Sequence, residues 1–406
     1  CLFWGQRNPR KVPGTLDRMT EARTIKLSSL KDLIAVFLRI GVTSFGSPTA
    51  HIAMMEHEVV RKRGWITEEH FLEMLAATNL VPGPNATEMA MHIGYVQAGY
   101  LGLIVAGISF ILPSFIATVA MAWLYIRYGS LPQTVAIFYV LNPLVLAIVI
   151  NTVWSIGKTS LLGWQSVLIF GLALVSAFLG VDELIILLGS AILGLLLYHA
   201  LTKPPEKVAL SMFSLAPLPL LIPFLQQSAN WLQSKVVQLF LYFLRTGAVL
   251  FGSALVLFPL VKDDVVTRFG WLSLPQLVDA IAVGQMTPGP ISSAVTFIGY
   301  MVAGLPGAIA ATVGLFLPSF LIVMALGPLL ARMSKSLIAK AILKGVNAGV
   351  VAMLISIVIT MGKNALVDVW TVLLLAGGLA GMFLLKLEPY WLVLSGIVIG
   401  IATALL

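Results

Sequence analysis

The sequence predicts an all-α polytopic membrane protein built as two homologous halves. Its composition, a series of apolar runs of helix length, and self-similarity at a shift of about 206 residues lead to that fold class. Hydrophobic residues make up 59% of the chain and charged residues 10%, where soluble domains carry about 45–50% and about 25%. One aqueous globule cannot hide that much apolar surface, so the lipid bilayer is the first partner implied. Runs at 33–55, 100–126, 133–156, 162–181 and 184–201, with a second series from about 236 onward, approach or exceed the ~20 residues of a spanning helix. Backbone in lipid must satisfy its own hydrogen bonds, and runs this continuous suit helices rather than the alternating strands of a barrel.

In order along the chain come a basic tail (1–30), a first repeat (31–201), a linker (202–235) and a second repeat (236–406). The tail holds Arg7, Arg10, Lys11, Arg18, Arg23 and Lys26 without the apolar core of a secretory signal, and is expected to stay cytoplasmic. Met19 offers a start ahead of the first helix, which would leave residues 1–18 without a role. The basic residues behind the formal charge of +8 lie in this tail and in loops, where they set orientation rather than bind nucleic acid. Cys1 is the only cysteine, so one chain offers neither a disulfide nor a thiolate metal site.

The repeat is carried by residues that chance apolar similarity would not match. Phe37, Arg39, Gly41, Phe45 and Gly46 fall on Phe243, Arg245, Gly247, Phe251 and Gly252, and Pro82-Gly83-Pro84 falls on Pro288-Gly289-Pro290. After a one-residue deletion, Gly94, Gly99, Gly102 and Pro113-Ser114-Phe115 meet Gly299, Gly304, Gly307 and Pro318-Ser319-Phe320. Duplicated halves are a transporter signature. The loop after Tyr125 offers only Arg127 while its counterpart offers Arg332, Lys335, Lys340 and Lys344, which favours an inverted pair. Met212–Leu225 could supply the extra crossing that inversion needs, and Arg61-Lys62-Arg63 stands against the scheme.

Arg39 and Arg245 lie inside the first apolar helix of each half, where an arginine costs about 2.5–3.5 kcal/mol to insert. Either they pair with carboxylates, or the two guanidinium forks clamp one tetrahedral dianion near the repeat interface. Each precedes a helix break rich in small residues, which brings Thr43, Ser44, Phe45 and Gly46, and Phe251 and Gly252, into the candidate site. Pro82-Gly83-Pro84 and Pro288-Gly289-Pro290 remove backbone donors at mid-segment and are expected to interrupt a helix, with Pro84 and Pro290 at the first position of the following half-helix. Asn85 and Thr87 in one half, and Ser292 and Ser293 in the other, would then add donors to a first turn whose dipole faces an anion. Glu88, His92, Glu73 and Asp279 are candidates for proton coupling, with His51 behind them. Gly157-Lys158-Thr159 lacks the earlier glycine of a phosphate loop, and His-Glu-x-x-His and Gly-x-Ser-x-Gly are absent, so no cofactor and no resident metal are expected and an intramembrane enzyme is only the remote alternative to a transporter.

Gly41-Val42-Thr43-Ser44-Phe45-Gly46 with the downstream Pro-Gly-Pro, repeated as Phe251-Gly252 and Pro288-Gly289-Pro290, resembles the chromate transporter family in its long two-domain form over residues 33–406. The resemblance implies two oppositely oriented halves in a bacterial inner membrane that export chromate and confer resistance. It also implies functional roles for Arg39, Gly41, Phe45, Gly46, Pro82, Gly83, Pro84 and their second-half equivalents. Ser47 stands where the family pattern has a second Gly, and Asn79 where it has Gln, which the second half keeps as Gln285. Sulfate or another tetrahedral oxyanion is therefore the alternative substrate, and a homodimer is admitted. A dianion leaving an inside-negative compartment gains about 4.6 kcal/mol per 100 mV, at about 2.3 per charge, which favours export.

Overall fold

The computed structural model describes residues 27–44, 48–79, 81–129, 131–199, 234–251, 254–333 and 336–405. Phe45, Gly46, Ser47, Gly252, Ser253, most of the basic tail and the linker with its extra crossing at Met212–Leu225 lie outside the described residues.

Among the described residues seven helices follow one another in each half. The first half runs α1 (Leu27–Thr43), α2 (Pro48–Glu56), α3 (Glu68–Thr78), α4 (Asn85–Tyr128), α5 (Pro132–Ser160), α6 (Trp164–Phe178) and α7 (Glu183–His199). The second runs α8 (Lys235–Val249), α9 (Leu257–Lys262), α10 (Leu274–Met286), α11 (Ala294–Met333), α12 (Leu337–Ala365), α13 (Val369–Phe383) and α14 (Pro389–Leu405). Even the π-turns repeat, His57–Lys62 after α2 and Asp263–Arg268 after α9.

Among the described residues, four helices are long and apolar enough to cross a membrane: Asn85–Tyr128, Thr134–Ser160, Ile291–Ala325 and Leu337–Ala365. Three expected spans are shorter than the sequence suggested. The run 33–55 divides into α1 and α2, and α6 and α7 hold 15 and 17 residues, below the ~20 of a perpendicular crossing. Leu101, Ile108, Leu112, Ile116 and Trp123 of α4, and Leu172, Val175, Ile192, Leu373, Leu394 and Val398 of the shorter helices, are exposed. Such a surface would aggregate in water and is a lipid-facing surface in a bilayer.

The matched glycines at 94, 99 and 102 explain a reversal that helix periodicity does not show. Ala98 (φ −145°, ψ 26°) and Gly99 (φ 60°, ψ −147°) leave the helical region inside α4, and Ala303 and Gly304 do the same inside α11. Residues eight apart in a straight helix stand ~12 Å apart. Gly94 and Gly102 nevertheless touch backbone to backbone, as do Gly299 and Gly307, so a side chain on any of the four would strike main chain. Each long helix is therefore a tight hairpin with a short arm (85–97, 294–302) and a long arm (100–128, 305–333). With α3, whose 11 residues cover only about 16 Å, the short arm makes a re-entrant pair joined by the Pro-Gly-Pro turn.

The long arms of the two halves run antiparallel. Gly107 lies under the ring of Phe320, whose nearest carbon is 2.6 Å from where a β-carbon would stand. Leu103 shares a buried cluster with Val323 and Met324. As the number falls along α4 it rises along α11, the pattern of an inverted repeat. The cations that stood against inversion have carboxylate partners: Arg61 with Glu56 at 2.9 Å, Lys62 and Arg63 with Glu58 at 3.3 and 2.9 Å. In a Cys1→Ser background, cysteines at Leu131 and Ser336, the equivalent N-caps of α5 and α12, should label with impermeant reagent from opposite faces; labelling from one face would establish parallel halves.

Candidate functional site

Each Pro-Gly-Pro tripeptide has a single backbone donor, because proline carries no N–H. The Gly83 amide donates to the Leu250 carbonyl at 2.5 Å, and the Gly289 amide donates to the Ser44 carbonyl at 2.8 Å. Leu250 is the C-cap of α8, and Ser44 follows α1, so each loop docks on the broken helix end of the opposite half. Pro82 also bridges Phe251 in an isolated antiparallel pairing. Helix ends leave carbonyls without intrahelical partners, and these two are satisfied across the repeat boundary.

Only glycine fits the centre of either turn. Gly83 has φ 150° and Gly289 φ 89°, in the region side chains avoid. A β-carbon on Gly83 would collide with Oε1 of Glu88 and Oγ of Ser319, and one on Gly289 would stand 2.9 Å from Cβ of Ser114. Ser114 and Ser319 are equivalents, so each serine of a long arm faces the loop of the opposite half. Both were visible in the matched Pro-Ser-Phe triplets, although their role was not.

Around this crossing the interior is polar. Ser44, Thr87, Glu88, Gln285, Ser292 and Ser319 are buried and each keeps a side-chain atom that no protein group satisfies. An unsatisfied buried polar group costs about 1–3 kcal/mol; with Glu88 and Ser319 turned toward each other at the Gly83 turn, the remaining open groups are ones that water or a bound group would complete. Thr118 reaches the Ser293 hydroxyl at 3.4 Å and that of Thr287 at 3.5 Å, and Ser114 donates to the Pro290 carbonyl at 3.5 Å. Of the donors the sequence nominated, Ser44, Thr87, Ser292 and Ser293 are brought to this interior. The Asn85 amide group instead donates to Asn79 at 2.6 Å, and the Thr43 hydroxyl is exposed and donates to the Arg39 carbonyl at 2.8 Å. Pro84 takes the N-cap rather than the first helical position, and Pro290 caps the 3-10 turn Ile291–Ser293; the amides of Thr87 and Glu88 fold back on the Pro84 carbonyl at 2.8 and 3.1 Å.

In the structure Arg39 pairs with a carboxylate. The Arg39 side chain is 56% exposed and donates to Oε2 of Glu58, itself 3% exposed, at 2.7 Å. Arg245 lines a small pocket with Asp182, Glu183 and Asp264, the last being the repeat equivalent of Glu58. A permanently charged guanidinium in an apolar helix is stabilised by a nearby carboxylate; Glu58 supplies it for Arg39, while Asp264 pairs with Arg268 at 3.3 Å. Burial pushes the Glu58 carboxyl up, but hydrogen bonds from Arg63 and Lys62 and the charge of Arg39 outweigh it and hold the group below its ordinary range.

The remaining candidates separate. Asp279 is buried and accepts from Tyr125 at 2.6 Å and Asn142 at 3.1 Å, both of the other half, whereas its equivalent Glu73 is half-exposed beside His70 at 3.8 Å. His92 is buried on the short arm with Nε2 unsatisfied, and His51 packs edge-on to Phe110 at 5.7 Å.

Two variants test this geometry. Gly83→Ala must displace Glu88 and Ser319 and is expected to lower thermal stability by about 1–3 kcal/mol and abolish most transport at matched abundance, measured by melting in detergent and by vesicle flux. Arg39→Lys should retain most flux because lysine still pairs with Glu58, while Glu58→Gln leaves Arg39, Lys62 and Arg63 without their shared carboxylate and should lower stable abundance; a dead but well-folded Arg39→Lys protein would restore the clamp.

A family model for the chromate transporter matches residues 31–195 and again 237–401. A chromate transport protein of Cupriavidus metallidurans is 33% identical over 348 residues, covering 85% of this chain and 86% of the relative. A probable chromate transport protein of Synechococcus elongatus is 32% identical, covering 85% and 88%. An uncharacterized transporter of Bacillus subtilis is 32% identical over 175 residues, which is 42% of this chain but 86% of the relative, so proteins the length of one repeat also exist. No solved structure matches the chain.

Proposed function

This chain belongs to the chromate transporter family, and we propose that it carries chromate out of the cytoplasm across a bacterial inner membrane and thereby confers chromate resistance. The observation behind this reading is the reciprocal docking of the two Pro-Gly-Pro loops, which encloses unsatisfied hydroxyls where two antiparallel halves meet. Interrupted helices at the interface of inverted repeats are where secondary transporters hold ions, and rocking one half against the other opens the site to alternate faces. Neutral hydroxyls suit an anion that must leave again, since a buried arginine pair would hold a dianion too tightly to release it. The same donors accept sulfate, and the substrate choice between the two tetrahedral dianions lies in competition between them.

Glu88 supplies a coupling to protons. It touches the Gly83 turn and Ser319, and the matching turn of the second half, Ile291-Ser292-Ser293-Ala294, has no carboxylate. Two unit charges 4 Å apart interact by about 4 kcal/mol at an effective dielectric of 20, and twice that for a dianion, so Glu88 carries its proton while the oxyanion is bound. Rising pH therefore favours the ionised carboxylate and opposes anion binding.

In proteoliposomes, chromate efflux should increase with an inside-negative potential and exceed that of sulfate at equal concentration; flux indifferent to potential, or sulfate preferred, overturns the export reading. Glu88→Gln mimics the neutral acid, so its efflux should persist at alkaline pH where the wild type declines, and parallel pH profiles would remove Glu88 from the coupling.

A further inference from the structure

A second feature lies beside the Pro-Gly-Pro crossing. A cavity of about 450 Å³ extends between the α13–α14 turn and the second Pro-Gly-Pro loop, room for roughly fifteen waters at ~30 Å³ each. At its inner end are Gln285 and Ile291, which flank Pro288-Gly289-Pro290, and along its wall are Asn151 and Thr152 of α5. Gln285 is 4% exposed and its Nε2 donor has no protein partner. Two charged side chains line the cavity, Lys386 and Glu388, both exposed and joined by no salt bridge among the described residues.

Lys386 has φ 54° and is the one non-glycine at positive φ among the described residues. The corresponding turn of the first half, between α6 and α7, places Gly180 at φ 75°. The first-half turn has four residues (179–182) and the second five (384–388), and the longer turn places a lysine in the left-handed region against the steric preference of an L-residue. Strain retained at the rim of a cavity points to function.

We propose that this cavity is an access vestibule for the oxyanion on one face of the membrane, and that Lys386 is its recruiting cation, passing the anion to the free amide of Gln285. The inference rests on the oxyanion reading above. An exposed lysine in a recessed wall raises the local anion concentration without holding the anion, and Glu388 opposes it, so the pair sets entry rate rather than binding at the centre.

The test has two independent readouts. For chromate flux at low ionic strength, Lys386→Gly should raise KM about three- to five-fold with kcat nearly unchanged, Lys386→Arg should restore KM, and Glu388→Gln should lower it, all three effects shrinking at high salt. The second readout uses Ala50→Cys, which lines the same cavity, in a Cys1→Ser background. An anionic methanethiosulfonate should react faster there than a cationic one of equal size, and Lys386→Gly should erase that preference. Lys386→Gly should also melt higher than the parent, because it relieves the left-handed turn. Loss of the reagent preference with no chromate flux in any variant would keep the vestibule and overturn chromate as substrate. An unchanged reagent ratio and an unchanged KM, with only the melting point raised, would reduce Lys386 to a turn residue and overturn the proposal.

Discussion

Two hydrogen bonds, from Gly83 to Leu250 and from Gly289 to Ser44, tie the molecule together at its centre. A bilayer offers no water to an open peptide group, so broken helices survive there only if protein completes them. Each Pro-Gly-Pro turn retains one donor, and that donor completes the other half's break. Neither half can therefore satisfy its interrupted helix alone. Because each glycine is hemmed in by a serine from the opposite long arm, or by Glu88, the turns tolerate no side chain and the crossing admits little slack.

The re-entrant geometry follows from small residues at a few positions. Gly94 against Gly102, and Gly299 against Gly307, let a helix fold back on itself within a few residues, leaving short arms that begin at the Pro-Gly-Pro turns and long arms that cross the membrane. Gly41 and Gly247 do the corresponding work between helices, allowing α1 and α8 to lie on the main chain at Phe110 and Leu315. Close backbone approach is the usual basis of helix association in lipid, where hydrophobic driving force is missing.

On this common backbone the side chains have diverged. Glu73 faces outward while Asp279 is held by Tyr125 and Asn142; Glu88 has no counterpart; one half turns at Gly180 and the other at Lys386. The two halves thus share one backbone plan and place unequal charges on it.

The sequence by itself determined the all-α membrane class, the duplication, the Pro-Gly-Pro breaks and several of the buried donors, because each rests on local chemistry: apolar run length, missing proline amides, and glycine where a side chain is forbidden. The partner of Arg39 was not legible, since a charge in an apolar helix demands a counter-charge but the helix does not say whether a substrate or a side chain supplies it; Glu58, nineteen residues away, answers that only when the π-turn folds beside α1. The reversal at Ala98–Gly99 was likewise hidden, because an apolar run reads the same whether it continues or doubles back. What only the tertiary structure decided was which half completes which break. That depends on contacts between residues more than 160 positions apart, such as Gly83 with Leu250, and the helical period of neither segment carries information about the other.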